Sequence, residues 1–268
     1  MNENSIYQAV RIGDVADWKL IVEISATGMS AYLKNINPAE DVLTLFEEKW
    51  KNDPEALLTH IEGMVYDHPQ VLDDFSTEIA IVTPQALLFP AEMVDDDEDE
   101  AIEIYGRIYC SEPEDVMMCD IPGAVCLFTL VPGLRAFLQR TFPGAAVKLH
   151  LAVLAARFAG RTADTPRIYL DIRDKEADFI VYDIKRLLSA STHKWETIAD
   201  IEYHLFNLID VYGLNPADLQ VSVSGLKEQK AEIVRELRKY ISYVMLTMIP
   251  GIGVKSGMSL CAAMMMRG

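Results

Sequence analysis

The stretch at residues 170–183 places two short apolar runs on either side of a charged turn. Its sequence is Leu-Asp-Ile-Arg-Asp-Lys-Glu-Ala-Asp-Phe-Ile-Val-Tyr-Asp, and this pattern predicts a β-hairpin. Asp171 ends the first strand, a position that is often acidic in nucleotide-binding hairpins. In those hairpins glycines follow, because side chains would block the approach of the backbone to a phosphate. Here Arg173, Asp174 and Lys175 follow, so the segment predicts the outline of a phosphate-binding hairpin without its glycines.

Length and composition are those of a globular chain that can bury a substantial core, as one large domain or two modest ones. Of its 268 residues, 50% are hydrophobic and 24% are charged, which excludes a disordered chain. The formal net charge of −17 repels nucleic acid and anionic membrane surfaces. We therefore expect no nucleic-acid partner. The charge favours solubility and is typical of a solvated acidic surface, and a basic protein partner is the alternative.

Cysteine spacing and the terminal sequence bear on the compartment. Cys110, Cys119, Cys126 and Cys261 show no metal-binding spacing, and a disulfide framework would be unusual at this length. The N-terminus has neither the basic region nor the apolar core of a signal peptide. The apolar stretch at residues 243–250 is far shorter than the roughly 20 residues of a membrane span. These features predict a cytoplasmic protein with reduced thiols and no membrane span.

The second half of the chain predicts a regular order of strands and helices. The expected elements are strands at 167–172, 178–182 and 187–192, a helix at 197–212, a strand at 219–223, and a helix carrying Val234, Leu237, Ile241 and Val244. The first helix has one apolar face and a glycine stop. The order is strand–strand–strand–helix–strand–helix.

The first half begins in a similar way, which suggests a diverged duplication without a visible residue-level repeat. Its expected elements are a hairpin at 18–24 and 29–33, helices that start at Asn37 and Asp53, strands at 78–83, 86–89, 116–119 and 124–130, and a helix at 132–141. Residues 146–158 are ambiguous between strand and helix, and we favour a strand that runs into a helix. The small, polar residues 160–166 predict the link between two halves.

The element order and the acidic end of the first strand resemble the ribonuclease-H-like lobe of actin-like ATPases. The second phosphate hairpin of that family runs Leu-Asp-Ile-Gly-Gly-Gly-Thr-Thr-Asp-Ile-Ala-Val-Phe-Asp, which residues 170–183 match in form. Residues 22–28, Val-Glu-Ile-Ser-Ala-Thr-Gly, resemble a worn version of the first hairpin, and residues 221–225, Val-Ser-Val-Ser-Gly, resemble the adenosine motif. The resemblance covers most of the chain. It implies a mixed α/β (α+β) fold of two ribonuclease-H-like lobes, at residues 1–160 and 161–268.

The chain also resembles an uncharacterised bacterial family, known only as a domain of unknown function, to which an actin-like ATPase fold has been assigned. The segments at residues 67–75 and 83–90 carry this second resemblance. It implies the same fold and leaves the activity open.

In active members of the actin-like superfamily, two hairpins wrap the phosphates, and an acidic residue at the end of each first strand holds the metal. The resemblance implies that a degenerate nucleotide cleft would be formed by Glu23, Ser25, Gly28, Asp171, Arg173 and Gly225. The alternative for the two acidic members is a strand-end carboxylate that faces solvent or caps a backbone donor. Arg173 and Lys175 could attract a phosphate, but Asp174 and Glu176 would repel it.

The missing glycines favour a non-enzymatic pseudo-ATPase that acts through protein contacts, as an interaction or scaffold protein. This interpretation assigns no catalytic residue, no metal site and no required cofactor, with weak binding of ATP and magnesium left open. The alternative is an ATP-binding ATPase or phosphotransferase that uses Glu23 and Asp171. A filament or membrane-complex adaptor is a third possibility, which rests on fold analogy alone. The partner and the oligomeric state are unknown from the sequence.

Three further features leave alternatives open. Residues 95–100 are all acidic and predict a solvated loop or helix start, whereas a cation site would need the spacing and turn glycine of a calcium loop. The methionine-rich tail at 251–268 could pack on its own domain or dock on a partner. His150 is expected to be partly buried and His204 to face solvent.

Overall fold

The structure is a computed structural model that describes residues 14–37, 42–159, 164–225, 227–247 and 258–266. The strands are β1 (Trp18–Ser25), β2 (Gly28–Asn35), β3 (Val42–Lys49), β4 (Ser76–Val82), β5 (Ala86–Pro90), β6 (Val116–Ile121), β7 (Ala124–Thr129), β8 (Ala146–Leu149), β9 (Arg167–Ile172), β10 (Glu176–Asp183), β11 (Arg186–Lys194), β12 (Gln220–Gly225) and β13 (Tyr243–Leu246). The helices are α1 (Leu57–Asp67), α2 (Ala91–Asp96), α3 (Glu98–Tyr109), α4 (Leu134–Thr141), α5 (His150–Ala159), α6 (Ile198–Val211), α7 (Lys227–Leu237) and α8 (Leu260–Met265).

Two five-stranded sheets share one strand order. The first runs β3-β2-β1-β4-β8 and the second runs β11-β10-β9-β12-β13. Counted along the chain within each sheet, both orders read 3-2-1-4-5. The first three strands of each sheet are antiparallel neighbours, and in the second sheet β12 and β13 run parallel to β9. The shared order supports the duplication that the sequence suggests.

A smaller sheet, β5-β7-β6, is inserted in the sequence between β4 and β8 of the first sheet. All of its strand pairs are antiparallel, and a two-residue turn joins β6 to β7. Helix α3 packs on one face through Ala101 and Tyr105, which share one apolar cluster with Val125 and Leu127. The sequence predicts residues 78–83 and 86–89 as one strand continued after a turn, but the structure assigns β4 and β5 to different sheets.

The second five-stranded sheet has its own apolar core. Its β9, β10 and β12 residues pack against α6 and α7, through Ile201, Leu205, Leu208, Ile209, Ile233, Val234 and Leu237. Helix α6 starts with a capping box, in which Thr197 and Asp200 satisfy each other's backbone donors. The apolar face of α6 is the one that the sequence predicts, because residues three and four apart share a helix face.

Most predicted elements are confirmed, including the hairpin of β1 and β2 and the strand β8 that runs directly into α5. The acidic run contains a helix start, because Asp97 caps α3 by accepting a hydrogen bond from the Glu100 amide. His150 is buried, whereas His204 is half-buried and stacks on His193 with ring centroids 4.1 Å apart. The expectation of a solvent-facing His204 is therefore wrong.

The helix predicted after Asn37 is wrong, since residues 42–49 form β3. Its start signal at residues 38–40 lies outside the described residues. Pairing with β2 supplies the backbone hydrogen bonds of this segment, and Phe46 is buried and stacked on His68. Tertiary pairing thus overrides a weak helical spacing. The sequence pattern also places Val244 on the last predicted helix, but this residue belongs to β13, where it pairs with Val221.

The chain folds into two compact units. One holds residues 1–81 and 131–147, and the other holds 82–130 and 148–268. The first five-stranded sheet dominates one unit, and the smaller sheet and the second five-stranded sheet lie in the other. The predicted boundary between residues 160 and 161 lies outside the described residues, so a division into lobes at that point stays a prediction.

Candidate functional site

The hairpin of β9 and β10 has the antiparallel register that its sequence predicts, with Asp171 opposite Asp178. The turn is closed by a hydrogen bond of 2.8 Å from the Arg173 amide to the Glu176 carbonyl. Trp195 holds the turn from the side, since its amide donates to the Lys175 carbonyl at 3.1 Å and its indole Nε1 donates to the Arg173 carbonyl at 3.0 Å. The Arg173 amide and the carbonyls of Arg173, Lys175 and Glu176 are therefore engaged in protein hydrogen bonds.

The Arg173 side chain folds back on its own hairpin. Its Nη2 lies 2.8 Å from Asp178 Oδ1 and 3.2 Å from Glu176 Oε2, and 21% of the side chain is exposed. Burial by itself would lower the pKa of Arg173, but the negative charges of Asp178, Glu176 and Asp171 raise it above its ordinary value. The guanidinium is thus a charge that nearby carboxylates already neutralise.

Asp178 is the centre of a buried polar cluster formed by His150, Arg173, Asp178 and Thr192. The Asp178 carboxylate is 1% exposed, and its Oδ1 accepts hydrogen bonds from Thr192 Oγ1 at 2.7 Å and from His150 Nε2 at 3.1 Å. Burial alone would raise the pKa of Asp178, but His150 and Arg173 hold it well below its usual range. Asp178 Oδ2 and Arg173 Nε have no partner among the described residues.

Asp171 lies inside the sheet rather than at its solvent surface. It is buried, and its Oδ1 accepts a hydrogen bond of 2.7 Å from Ser224 Oγ on the neighbouring strand β12. Ser224 also donates to the Leu170 carbonyl at 3.3 Å. Parallel pairing places Ser224 beside Asp171 and Gly225 beside Ile172.

Gly225 is required by the backbone of its neighbour. It has φ +102°, and a Cβ at this position would lie 2.0 Å from the Ile172 carbonyl oxygen and 2.6 Å from the Ile172 amide nitrogen. Those distances are far below van der Waals contact, so only glycine fits. The close approach of β12 and β9 explains this glycine without any ligand.

Ser25 and Gly28 lie together at the turn between β1 and β2. Ser25 Oγ donates to the Gly28 carbonyl at 3.2 Å and accepts from the Thr27 amide at 3.3 Å. A Cβ on Gly28 would lie 2.6 Å from the Glu48 carbonyl oxygen of β3. Glu23 is a half-buried residue of β1, paired with Ser30, and its negative charge contributes to the raised pKa of the largely desolvated Tyr32.

The predicted site residues therefore form two groups within the chain. Ser25 and Gly28 meet at the first hairpin with Glu23 on the preceding strand, and Asp171 and Gly225 meet on adjacent strands. Arg173 instead contacts Asp178, which sequence reasoning did not single out. In the sequence, Asp178 is a charged residue within the otherwise apolar run of β10. This pattern indicates a buried charge, which needs a partner.

Metal-binding clusters and membrane-spanning helices are both absent from the described residues. No group of three or more His, Cys, Asp or Glu side chains in these residues is arranged to hold a metal ion. No helix among them is long and apolar enough to cross a membrane.

Solved structures show the fold of the chain. A Bacteroides thetaiotaomicron protein with an actin-like ATPase fold and unknown function matches with a TM-score of 0.79 and 17% identity, over 97% of this chain and 99% of the other. A chain of the PilM–PilN type IV pilus biogenesis complex matches with a TM-score of 0.51 and 12% identity, over 85% of this chain and 88% of the other. The predicted actin-like ATPase fold is thereby confirmed.

Sequence comparisons show the family. A search of curated proteins finds no significant match. Residues 8–244 match the family described as "Protein of unknown function (DUF3822)", which covers well over half of the chain. The expected resemblance to a family of unknown function with an actin-like fold is confirmed. The chain belongs to the DUF3822 family of proteins of unknown function and has an actin-like ATPase fold.

Proposed function

We propose that this protein is a non-enzymatic interaction or scaffold protein whose nucleotide cleft is degenerate. The observation that carries the proposal is the position of Arg173, whose guanidinium lies 2.8 Å from the buried carboxylate of Asp178. A phosphate would have to compete with this carboxylate and with Glu176 for the same cation. Removing Arg173 from Asp178 would break a buried ion pair, which costs about 3–5 kcal/mol.

The turn of the second hairpin offers a phosphate little else. Its Arg173 amide donates to Glu176, and Asp174 adds an exposed negative charge next to it. Backbone amides bind phosphates only when they are free and unobstructed by side chains. The retained Gly225 is explained by packing against Ile172 and so does not favour a nucleotide.

Two observations support a role in protein contacts. A chain of the PilM–PilN complex, which is assembled from more than one protein, has a related fold. The net charge of −17 disfavours nucleic acid and favours a basic protein as the partner. We further propose a cytoplasmic role in a bacterium, which fits the four cysteines of the described residues, since all of them are thiols. We also propose that the chain forms two lobes that divide near residue 160.

Isothermal titration with magnesium-ATP tests the proposal. We expect no saturable binding signal up to a nucleotide concentration of about 1 mM. This limit corresponds to a binding free energy smaller in magnitude than about 4 kcal/mol. Phosphate release should equal that of buffer. Micromolar binding together with steady phosphate release would contradict the proposal.

The second candidate is an ATPase or phosphotransferase that uses Glu23 and Asp171. It is favoured by the position of Asp171 on β9 beside the Ser224–Gly225 end of β12, where the actin-like resemblance expects a nucleotide. This candidate requires that Asp171→Asn and Glu23→Gln each reduce turnover, while Asp174→Asn, a change at an exposed turn carboxylate, leaves it unchanged. Equal phosphate release from all three variants and the wild type would remove it.

A further inference from the structure

Two cysteines face each other across the β6–β7 hairpin. Cys119 of β6 and Cys126 of β7 are direct partners in the antiparallel register. Side chains of directly opposed residues project from the same face of a sheet. Both residues are thiols rather than disulfides, and both side chains are buried, with 8% of Cys119 and 0% of Cys126 exposed. The pair therefore lies within the protein interior at a separation that the strand pairing sets.

That separation is compatible with a covalent bond. Opposed residues of antiparallel strands have Cα atoms about 4.5 Å or about 5.5 Å apart, depending on the hydrogen-bonding pattern. Disulfides need a Cα–Cα distance of about 4.4–6.8 Å. Both kinds of pair fall in this range. Opposed Cβ atoms lie about 4.5–5.5 Å apart, at or just beyond the roughly 3.5–4.5 Å of a disulfide, so the two strands need to approach each other only slightly for the bond to form.

We propose that Cys119 and Cys126 form a cross-strand disulfide when the protein is oxidised by a peroxide. In the first step one thiol releases its proton, the thiolate sulfur attacks a peroxide oxygen and the O–O bond breaks. A sulfenic acid forms, and the released proton joins the leaving hydroxide to give one water. In the second step the other sulfur attacks the sulfenic sulfur, the S–S bond forms, and a second water leaves. Two thiols thereby lose two protons and two electrons, and hydrogen peroxide takes up both and is reduced to two waters.

Burial sets the rate of this reaction. Desolvation raises the pKa of both thiols, and that of Cys126 reaches about 12. Because the thiolate is the reactive form, the oxidation is slow near neutral pH and accelerates about tenfold per pH unit below those pKa values. Because disulfide formation is slow, this pair does not act as a fast peroxide sensor. Its oxidation accumulates only when the protein is exposed to peroxide for a long time.

The disulfide would also remove a hydrogen bond at Leu149, directly before α5. Cys119 Sγ now accepts a hydrogen bond of 3.3 Å from the Leu149 amide, next to His150 of the Asp178 cluster. A sulfur drawn toward Cys126 loses this bond. We therefore expect faster hydrogen exchange at the Leu149 amide in the oxidised protein than in the reduced one.

The experiment uses the full chain with Cys110→Ser, because Cys110 is exposed and would form disulfides between molecules. This protein is treated with hydrogen peroxide from pH 7 to pH 9, quenched with an alkylating agent under denaturing conditions, and analysed by intact and peptide mass spectrometry. We expect the loss of two hydrogen atoms, a linked peptide pair containing Cys119 and Cys126, and full reversal by dithiothreitol.

Matched variants decide the assignment. In the same background, Cys126→Ala and Cys119→Ala should each abolish the linked species, whereas Cys261→Ala, which removes another buried thiol, should leave it unchanged. The proposal is overturned if both cysteines of the pair remain open to alkylation after oxidation of the folded protein. It is equally overturned if the product gains oxygen atoms instead of losing hydrogens, or if the link maps to Cys261.

Discussion

Asp178 shows how a single residue can determine the chemistry of its surroundings. Its carboxylate is buried, and the positive side chain of Arg173, the imidazole of His150 and the hydroxyl of Thr192 all contact one of its oxygen atoms. A buried charge is tolerated only when such partners compensate for lost hydration. Arg173 consequently pairs with carboxylates of its own hairpin. This pairing is the basis, at the scale of a single residue, of the proposed function.

Asp178→Asn should destabilise the protein by about 3–5 kcal/mol, because the change breaks the buried ion pair with Arg173 and leaves Arg173 only its longer contact of 3.2 Å to Glu176. Urea unfolding followed by circular dichroism measures this loss. Asp174→Asn is the matched control, since Asp174 is exposed on the same turn and should change stability by less than about 0.5 kcal/mol. Equal unfolding midpoints for the two variants would contradict the role assigned to Asp178.

The lowered pKa of Asp178 predicts a pH dependence of stability. The unfolded chain has the ordinary aspartate pKa of about 3.9, so below that value it binds a proton that the native state does not. The stabilisation from ionised Asp178 is complete above the unfolded pKa and is lost as the pH falls toward the native one. The unfolding free energy measured from pH 6 to pH 3 should fall less steeply in Asp178→Asn than in the wild type. Parallel curves would contradict this.

Gly225→Ala should cost more than a change at an ordinary positive-φ glycine. A Cβ at residue 225 meets the Ile172 carbonyl at 2.0 Å, whereas a Cβ at Gly213, with φ +61°, meets nothing within 4 Å. Gly213→Ala therefore reports backbone strain alone, at about 1 kcal/mol. We expect the loss for Gly225→Ala to exceed that value clearly in thermal unfolding. Similar losses would show that the strands separate easily at this point.

At the scale of elements, helix α8 shows where the described part of the methionine-rich tail packs. Leu260–Met265 is buried along its whole length, and it packs against α5 within the same compact unit. Ser259 caps it by accepting a hydrogen bond from the Ala262 amide at 3.0 Å. The described part of the methionine-rich tail thus packs on its own domain. The rest of the tail, at 251–257 and 267–268, lies outside the described residues.

Met264→Ala should destabilise the protein by about 2–5 kcal/mol, the usual cost of truncating a buried methionine. Met245→Ala is the control, because Met245 is exposed on β13 and its truncation should cost less than about 0.5 kcal/mol. Guanidinium unfolding compares the two variants under the same conditions. A near-neutral Met264→Ala would mean that α8 adds little to the core.

At the scale of the whole molecule, the proposed function predicts that nucleotide leaves stability unchanged. A ligand at 100 times its dissociation constant would stabilise the fold by about 2.7 kcal/mol, which raises the melting temperature of a chain this size by several degrees. With about 5 mM magnesium-ATP we expect a shift of no more than about 1 °C. A larger shift that Asp171→Asn abolishes would favour the ATPase alternative instead.

Much of the architecture follows from local sequence patterns. Alternating and helical apolar patterns predict β9, β10, β11 and α6 with nearly correct bounds, because these periods follow directly from backbone geometry. The hairpin motif at residues 170–183 also indicates the actin-like fold, and its lack of turn glycines is a property of the sequence itself. These are local properties, so a local pattern suffices to read them.

Features that depend on residues distant in sequence are set by the folded arrangement of the chain. Residues 42–49 became a strand because β2 offers them backbone partners, and Gly225 is a glycine because the Ile172 backbone lies against it. Asp178 gained His150 of α5 and Thr192 of β11 as partners. All three features have the same physical origin. Hydrogen bonds, close approach and charge pairing act over a few ångströms of space, and the order of residues along the chain does not specify which segments come that close.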